Sequence, residues 1–119
     1  MTSEQQRLSD DVPFELEELD SDRVVARFAE YVDGRRTSAL EDSLSTAIRR
    51  HQKTACDVRD SKEIVSEWLV LLADLSVEAR KSGHRVSVVG LNENLRKSAD
   101  VLGLEGQLTL VSSIEEAWT

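Results

Sequence analysis

Segments of β-prone residues alternate with segments of helical period along nearly the whole chain, and this alternation restricts the fold more than any other feature. Phe14-Glu15-Leu16-Glu17 alternates apolar and acidic side chains, as a short half-buried strand does. Leu19-Asp20-Ser21-Asp22 carries turn chemistry. Arg23 to Val32 holds Val24, Val25, Phe28, Tyr31 and Val32, residues that suit a pleated surface, with a one-residue irregularity near Ala29. Together these predict an N-terminal hairpin.

Asp33-Gly34 is the next turn. Thr37 or Ser38 can then cap a helix, with Glu41 completing a capping box. Ala39 or Leu40, Leu44, Ala47 and Ile48 recur at helical spacing up to His51, and Arg49, Arg50 and Lys53 complement the macrodipole at its end. Thr54 to Val58 reads as an interior strand. Asp60 and Glu63 form a second capping box, opening a long helix that runs to Lys81 and stops at Gly83. Arg85 to Leu91 is strongly β-prone. Asn92 caps a third helix bearing Leu95, Ala99 and Leu102, closed by Gly103. Leu108 to Val111 is the last strand, and Ser112 or Ser113 caps a terminal helix over Ile114 to Trp118.

The order β-β-α-β-α-β-α-β-α predicts an α/β domain. Its sheet has four or five strands, mixed or mostly parallel, and about four helices cover it on one side or both. A chain of 119 residues is one ordinary domain, and the expected division is a flexible leader over residues 1–13 and a single domain over 14–119. Aromatic content is 4%, so the core must be aliphatic.

Charge narrows the function. The net charge of −8 repels nucleic-acid phosphates and anionic lipid, so neither is expected as a partner. The first residues lack the basic start and apolar stretch of a signal peptide, and the longest apolar run, Trp68 to Ala73, is too short to span a bilayer. A single cysteine, Cys56, forms no intrachain disulfide and fits a reducing compartment. In an interior strand it is a small buried thiol. His51 and His84 have no Cys or acidic residue at metal-ligand spacing, and element-end histidines of this kind are expected to be solvated. Phosphate-cradling glycine loops are absent. No catalytic constellation converges, and no metal or cofactor is expected.

From Thr54 to Thr119 the chain resembles the STAS domain, the family of the anti-sigma factor antagonists. The resemblance rests on an ordered series: the interior strand Ala55-Cys56-Asp57-Val58; the helix with Leu69, Leu72 and Leu75; the run Arg80-Lys81-Ser82-Gly83-His84-Arg85-Val86-Ser87-Val88-Val89-Gly90-Leu91; then Val101-Leu102-Gly103-Leu104 and the closing strand and helix over Leu108 to Ala117. The first half matches in element order. The resemblance implies a bacterial, cytoplasmic, protein-binding regulator of transcription that is not an enzyme. Its partner would be an anti-sigma factor or related kinase. The alternative it implies is a STAS subunit clasped, without phosphorylation, to the ATPase of a membrane lipid transporter.

The family's Asp-Ser-Ser-Gly segment, where a partner kinase phosphorylates a serine, falls on Val65-Ser66-Glu67-Trp68. Ser66 is therefore the phosphorylation candidate, and Glu67 would place a permanent negative charge beside it. At about 100° per residue, Ile64, Val65, Trp68, Leu72, Leu75 and Ala79 share one face of the second helix, with Leu69 at its edge. Ser66, Val70 and Val77 fall opposite, on a face expected to be solvated near Asp74 and Lys81. These residues, with Glu67, are the expected partner-binding surface, and the resemblance adds Asp33 from the turn after the hairpin.

Overall fold

The computed structural model describes residues 12–119, so most of the expected leader lies outside it. Pro13 is buried, and its carbonyl accepts from the Ala29 N–H at 2.8 Å, so strand pairing begins there. The strands are β1 (Phe14–Glu18), β2 (Arg23–Phe28), β3 (Tyr31–Val32), β4 (Lys53–Asp57), β5 (Glu63–Ile64), β6 (Arg85–Val89) and β7 (Leu110–Val111). The helices are α1 (Ser38–Arg50), α2 (Ser66–Lys81), α3 (Glu93–Val101) and α4 (Ile114–Ala117).

Five strands form one sheet in the order β1-β2-β4-β6-β7. The β1–β2 hairpin is antiparallel, with Leu16 opposite Ala26, and every other pair is parallel. This is the mixed α/β sheet that the alternation predicts. Strand side chains alternate between two unequal layers. Ala26, Phe28, Cys56, Val86 and Val88 meet the three longer helices and make the main core. Val25, Ala55 and Val89 face the other way, against Ala117, Ile114 and Trp118 of the α4 region. Burial pushes the Cys56 thiol up to about 12, so it stays protonated and unreactive.

Local signals set most boundaries. Thr37 caps α1 by accepting from the Leu40 N–H, Asn92 caps α3 by accepting from the Leu95 N–H, and Ser113 caps α4. The α2 end closes at Gly83, whose φ of 78° is left-handed; the His84 N–H then reaches back to the Ala79 carbonyl at 2.8 Å.

Four expectations fail for tertiary reasons. The stretch Arg23 to Val32 is not one strand: it breaks after Phe28, and Tyr31–Val32 leaves the sheet to pair in parallel with Glu63–Ile64. The capping box at Asp60 and Glu63 does not form either. Lys62 and Glu63 both donate to the Glu30 carbonyl, at 2.7 and 3.2 Å, which holds the chain extended until Val65. Helix α2 therefore starts at Ser66, with no side-chain cap. Glu41 does not complete a capping box but pairs with Arg36 at 3.1 Å. Nor are the histidines solvated. His51 is buried, with Nδ1 2.6 Å from the Ala47 carbonyl and Nε2 2.7 Å from the Glu18 carboxylate. His84 Nδ1 lies 2.7 Å from the His51 carbonyl and 3.0 Å from that of Ile48. Both rings serve the acceptors that a helix end leaves without partners.

The carboxyl end of β4 is closed by an ion pair. Arg59 donates from Nε and Nη2 to the Asp57 carboxylate at 2.9 Å each, and its stem lies across Gly90. Gly90 has φ 72°, and a Cβ there would stand 2.3 Å from Arg59 Cγ. Gly90→Ala should therefore cost about 2–3 kcal/mol, from left-handed strain plus the displaced ion pair. Urea unfolding should find the loss less than additive with Arg59→Ala, which clears the space. Burial raises the Asp57 carboxyl, but the hydrogen bonds and charge of Arg59 outweigh it and hold the group below the usual range. The stability this contributes is complete above the unfolded value of about 3.9 and is lost as pH falls through the lower folded value. Acid unfolding should thus show a shallower slope below about pH 4 in Asp57→Asn than in the parent chain.

Candidate partner-binding surface

The β3–β5 pair brings the sequence-predicted residues together. Val32 pairs with Ile64, and the Val65 N–H donates to the Val32 carbonyl at 2.9 Å. Asp33 and Ser66 each follow one member of that contact. Two further links hold the loop after β3 onto the first turn of α2. The Trp68 indole N–H donates to the Gly34 carbonyl at 3.0 Å, and Arg36 Nη1 donates to the Glu67 carbonyl at 3.3 Å. Arg36 is itself fixed by Glu41, with Nε and Nη2 donating to its two carboxylate oxygens at 3.2 and 3.1 Å.

Trp68 is fully buried and packs edge-on against Phe14 and Phe28, with ring centroids 6.0 and 6.4 Å away. It fills the space between α2 and the hairpin. The large aromatic at this position thus serves packing.

Asp33, Ser66 and Glu67 are exposed. Val70 and Val77 are half-buried, and Val70 packs against the core, which corrects their placement on a solvated face. The reason is that α2 meets the sheet, α1 and α3 at once. Its buried set includes Leu71, Ala73 and Ser76 as well as Trp68, Leu69, Leu72 and Ala79, and spans more than half of the wheel. Ser66, Val70 and Val77 lie within about 40° of one another on the remaining arc.

Sequence reasoning missed the second wall of this surface. Ser66 shares a shallow depression of about 300 Å³ with Lys97, Ser98, Val101 and Leu102 of the α3 end. Val101 is 87% exposed and Leu102 40%, the former the most exposed large apolar side chain among the described residues. A signal was available: Val101 sits about 200° from Ala99 on the wheel, off the face that α3 buries. Two serines and two apolar side chains thus share an open rim with one lysine. Such a patch suits docking of another protein surface. Among the described residues, no group of three or more His, Cys, Asp or Glu side chains could hold a metal ion, and no helix is long and apolar enough to cross a membrane.

No family model matches the sequence, and no curated protein matches it. Solved structures do match. The anti-sigma factor antagonist SpoIIAA in its unphosphorylated form aligns with TM-score 0.72 and 20% identity, over 88% of this chain and 92% of that one. The phosphorylated form of the Bacillus cell-fate determinant SpoIIAA aligns with TM-score 0.62 and 17% identity, over 88% and 96%. The murine Slc26a9 anion transporter aligns with TM-score 0.58 and 12% identity, over 98% of this chain and 23% of the transporter. The chain has the STAS fold.

Proposed function

We propose that this chain is a protein-binding regulator of the anti-sigma factor antagonist kind, which works by exchanging partners with an anti-sigma factor or a related kinase in the bacterial cytoplasm. The observation that carries this reading is the exposed rim at the start of α2. Ser66 stands there beside Val101 and Leu102, in the fold of SpoIIAA, a protein solved in both phosphorylated and unphosphorylated forms. Binding buries the two apolar side chains. Ser66, at the first position of α2, is where an added phosphate of about −1.5 to −2 charges would be tolerated by the helix dipole but would repel an acidic or tightly packed partner. Glu67 keeps one negative charge beside it at all times. The chain needs no cofactor for this role and performs no catalysis.

A second reading has its own observation. The Val65-Ser66-Glu67-Trp68 segment departs from the phosphorylated pattern, and Trp68 fixes the departure by filling the core. A STAS subunit that binds the ATPase of a membrane lipid transporter, with no phosphorylation, uses the same rim as a permanent interface.

Affinity capture from a lysate of the source organism, with mass spectrometry of what is retained, separates the two. Recovery of a GHKL-type kinase or a sigma-regulatory phosphatase supports partner exchange. Recovery of a transporter ATPase without such a kinase overturns it in favour of the second reading.

A further inference from the structure

A second concave site lies at the other end of α2, about 20 Å along the helix axis from Ser66 at about 1.5 Å per residue. It is a cleft of about 360 Å³ between the ends of α1 and α2, lined by Ser45, Ile48 and Arg49 from α1, Leu75, Glu78 and Ala79 from α2, and Ser82 and His84 beyond. That volume falls in the range of small-molecule sites, about 300–1,000 Å³.

The lining divides by chemistry. Ile48 and Ala79 are buried and Leu75 is half-buried, so the floor is aliphatic. The rim carries a cation held in place. Arg49 Nη1 donates to Ser45 Oγ at 2.8 Å and Nη2 to Thr46 Oγ1 at 3.2 Å, so the guanidinium is held by two neutral hydroxyls. Arg49 has no carboxylate within ion-pair distance among the described residues, whereas the one acid at the rim, Glu78, is paired with Lys81 at 3.9 Å. His84 cannot swing away, because two carbonyls hold its Nδ1, at 2.7 and 3.0 Å. It forms a fixed wall. Both helices end in adjacent cations, Arg49-Arg50 and Arg80-Lys81, so this end of an otherwise acidic chain is locally positive.

We propose that this cleft binds a small amphiphilic carboxylate, its apolar body on Ile48, Leu75 and Ala79 and its head group on Arg49. An apolar floor takes a hydrocarbon body. A guanidinium already held by two hydroxyls loses less entropy when it meets a carboxylate, and the pair is charge-assisted. The site does not depend on the role assigned to Ser66, since it uses none of that surface.

The test titrates octanoate into the isotope-labelled full chain and follows amide shifts by NMR, with octanol as the uncharged control. The expected result is saturable shifts at Ile48, Arg49, Leu75, Ala79 and His84, weaker binding of octanol, and about tenfold weaker octanoate binding in Arg49→Gln, the loss expected for one charge-assisted hydrogen bond. Arg49 is exposed, so this variant keeps the fold. Absence of saturable shifts at these residues overturns the site. Equal binding of octanol and octanoate, or an unchanged affinity in Arg49→Gln, overturns the carboxylate assignment.

Discussion

Replacing Trp68 by glycine, the residue that the resemblance to the STAS motif would put here, should remove most of the stability of the domain. Three losses add. The indole is fully buried in the core and packs edge-on with Phe14 and Phe28, so its removal leaves a cavity worth about 3–5 kcal/mol. Glycine in the first turn of α2 adds up to about 1 kcal/mol of lost helix propensity. The bond to the Gly34 carbonyl, at 3.0 Å, is lost as well. Domains of this size are stable by about 5–15 kcal/mol, so Trp68→Gly should leave the chain partly unfolded at room temperature. Urea denaturation followed by circular dichroism measures this. Trp68→Phe is the control: it keeps an aromatic ring and loses the hydrogen bond, and should cost about half as much or less. If Trp68→Gly folded with undiminished stability, the indole would not be the filler of this core, and the family pattern could be restored without penalty.

That position shows where the sequence was legible and where it was not. The alternation of periods from Phe14 to Trp118 set the class and the mixed sheet, and the caps at Thr37, Asn92 and Ser113 could be read because each is a contact within three residues. What could not be read depends on contacts distant in sequence. The Glu30 carbonyl that holds Lys62 and Glu63 extended lies more than thirty residues upstream, and it overrides a capping box that is locally sound. The same holds for Tyr31–Val32: its β-prone residues predicted a strand, and nothing local said that the strand would leave the sheet for Glu63–Ile64. Val70 and Val77 were misplaced because a single-face wheel assumes one neighbour, whereas α2 has three. Of the candidate surface, Asp33, Ser66 and Glu67 were named from order and resemblance, and their exposure is as expected. The α3 wall was not legible, since only the tertiary fold brings Val101 and Leu102 to Ser66.

The second large effect belongs to that wall. Val101→Glu should abolish capture of the partner while leaving the fold intact. At 87% exposure the valine contributes almost nothing to the core, so the substitution should change stability by less than about 0.5 kcal/mol. In the proposed complex the same side chain would be the apolar centre of an interface otherwise ringed by Ser66, Lys97 and Ser98. Burying a carboxylate there without a partner costs more than losing the methyl groups, and truncation at such centres alone costs about 2–4 kcal/mol. The expected loss of affinity is thus at least about thirtyfold, enough to remove the partner from a capture experiment run near its dissociation constant. Val101→Ala should sit between the two, and Glu105→Gln, beyond this depression, should have no effect. The order parent, Val101→Ala, Val101→Glu is the signature of an apolar contact that tolerates no charge. Should Val101→Glu bind as the parent does, the interface would lie elsewhere, and Ser66 would be an ordinary exposed serine at the start of a helix.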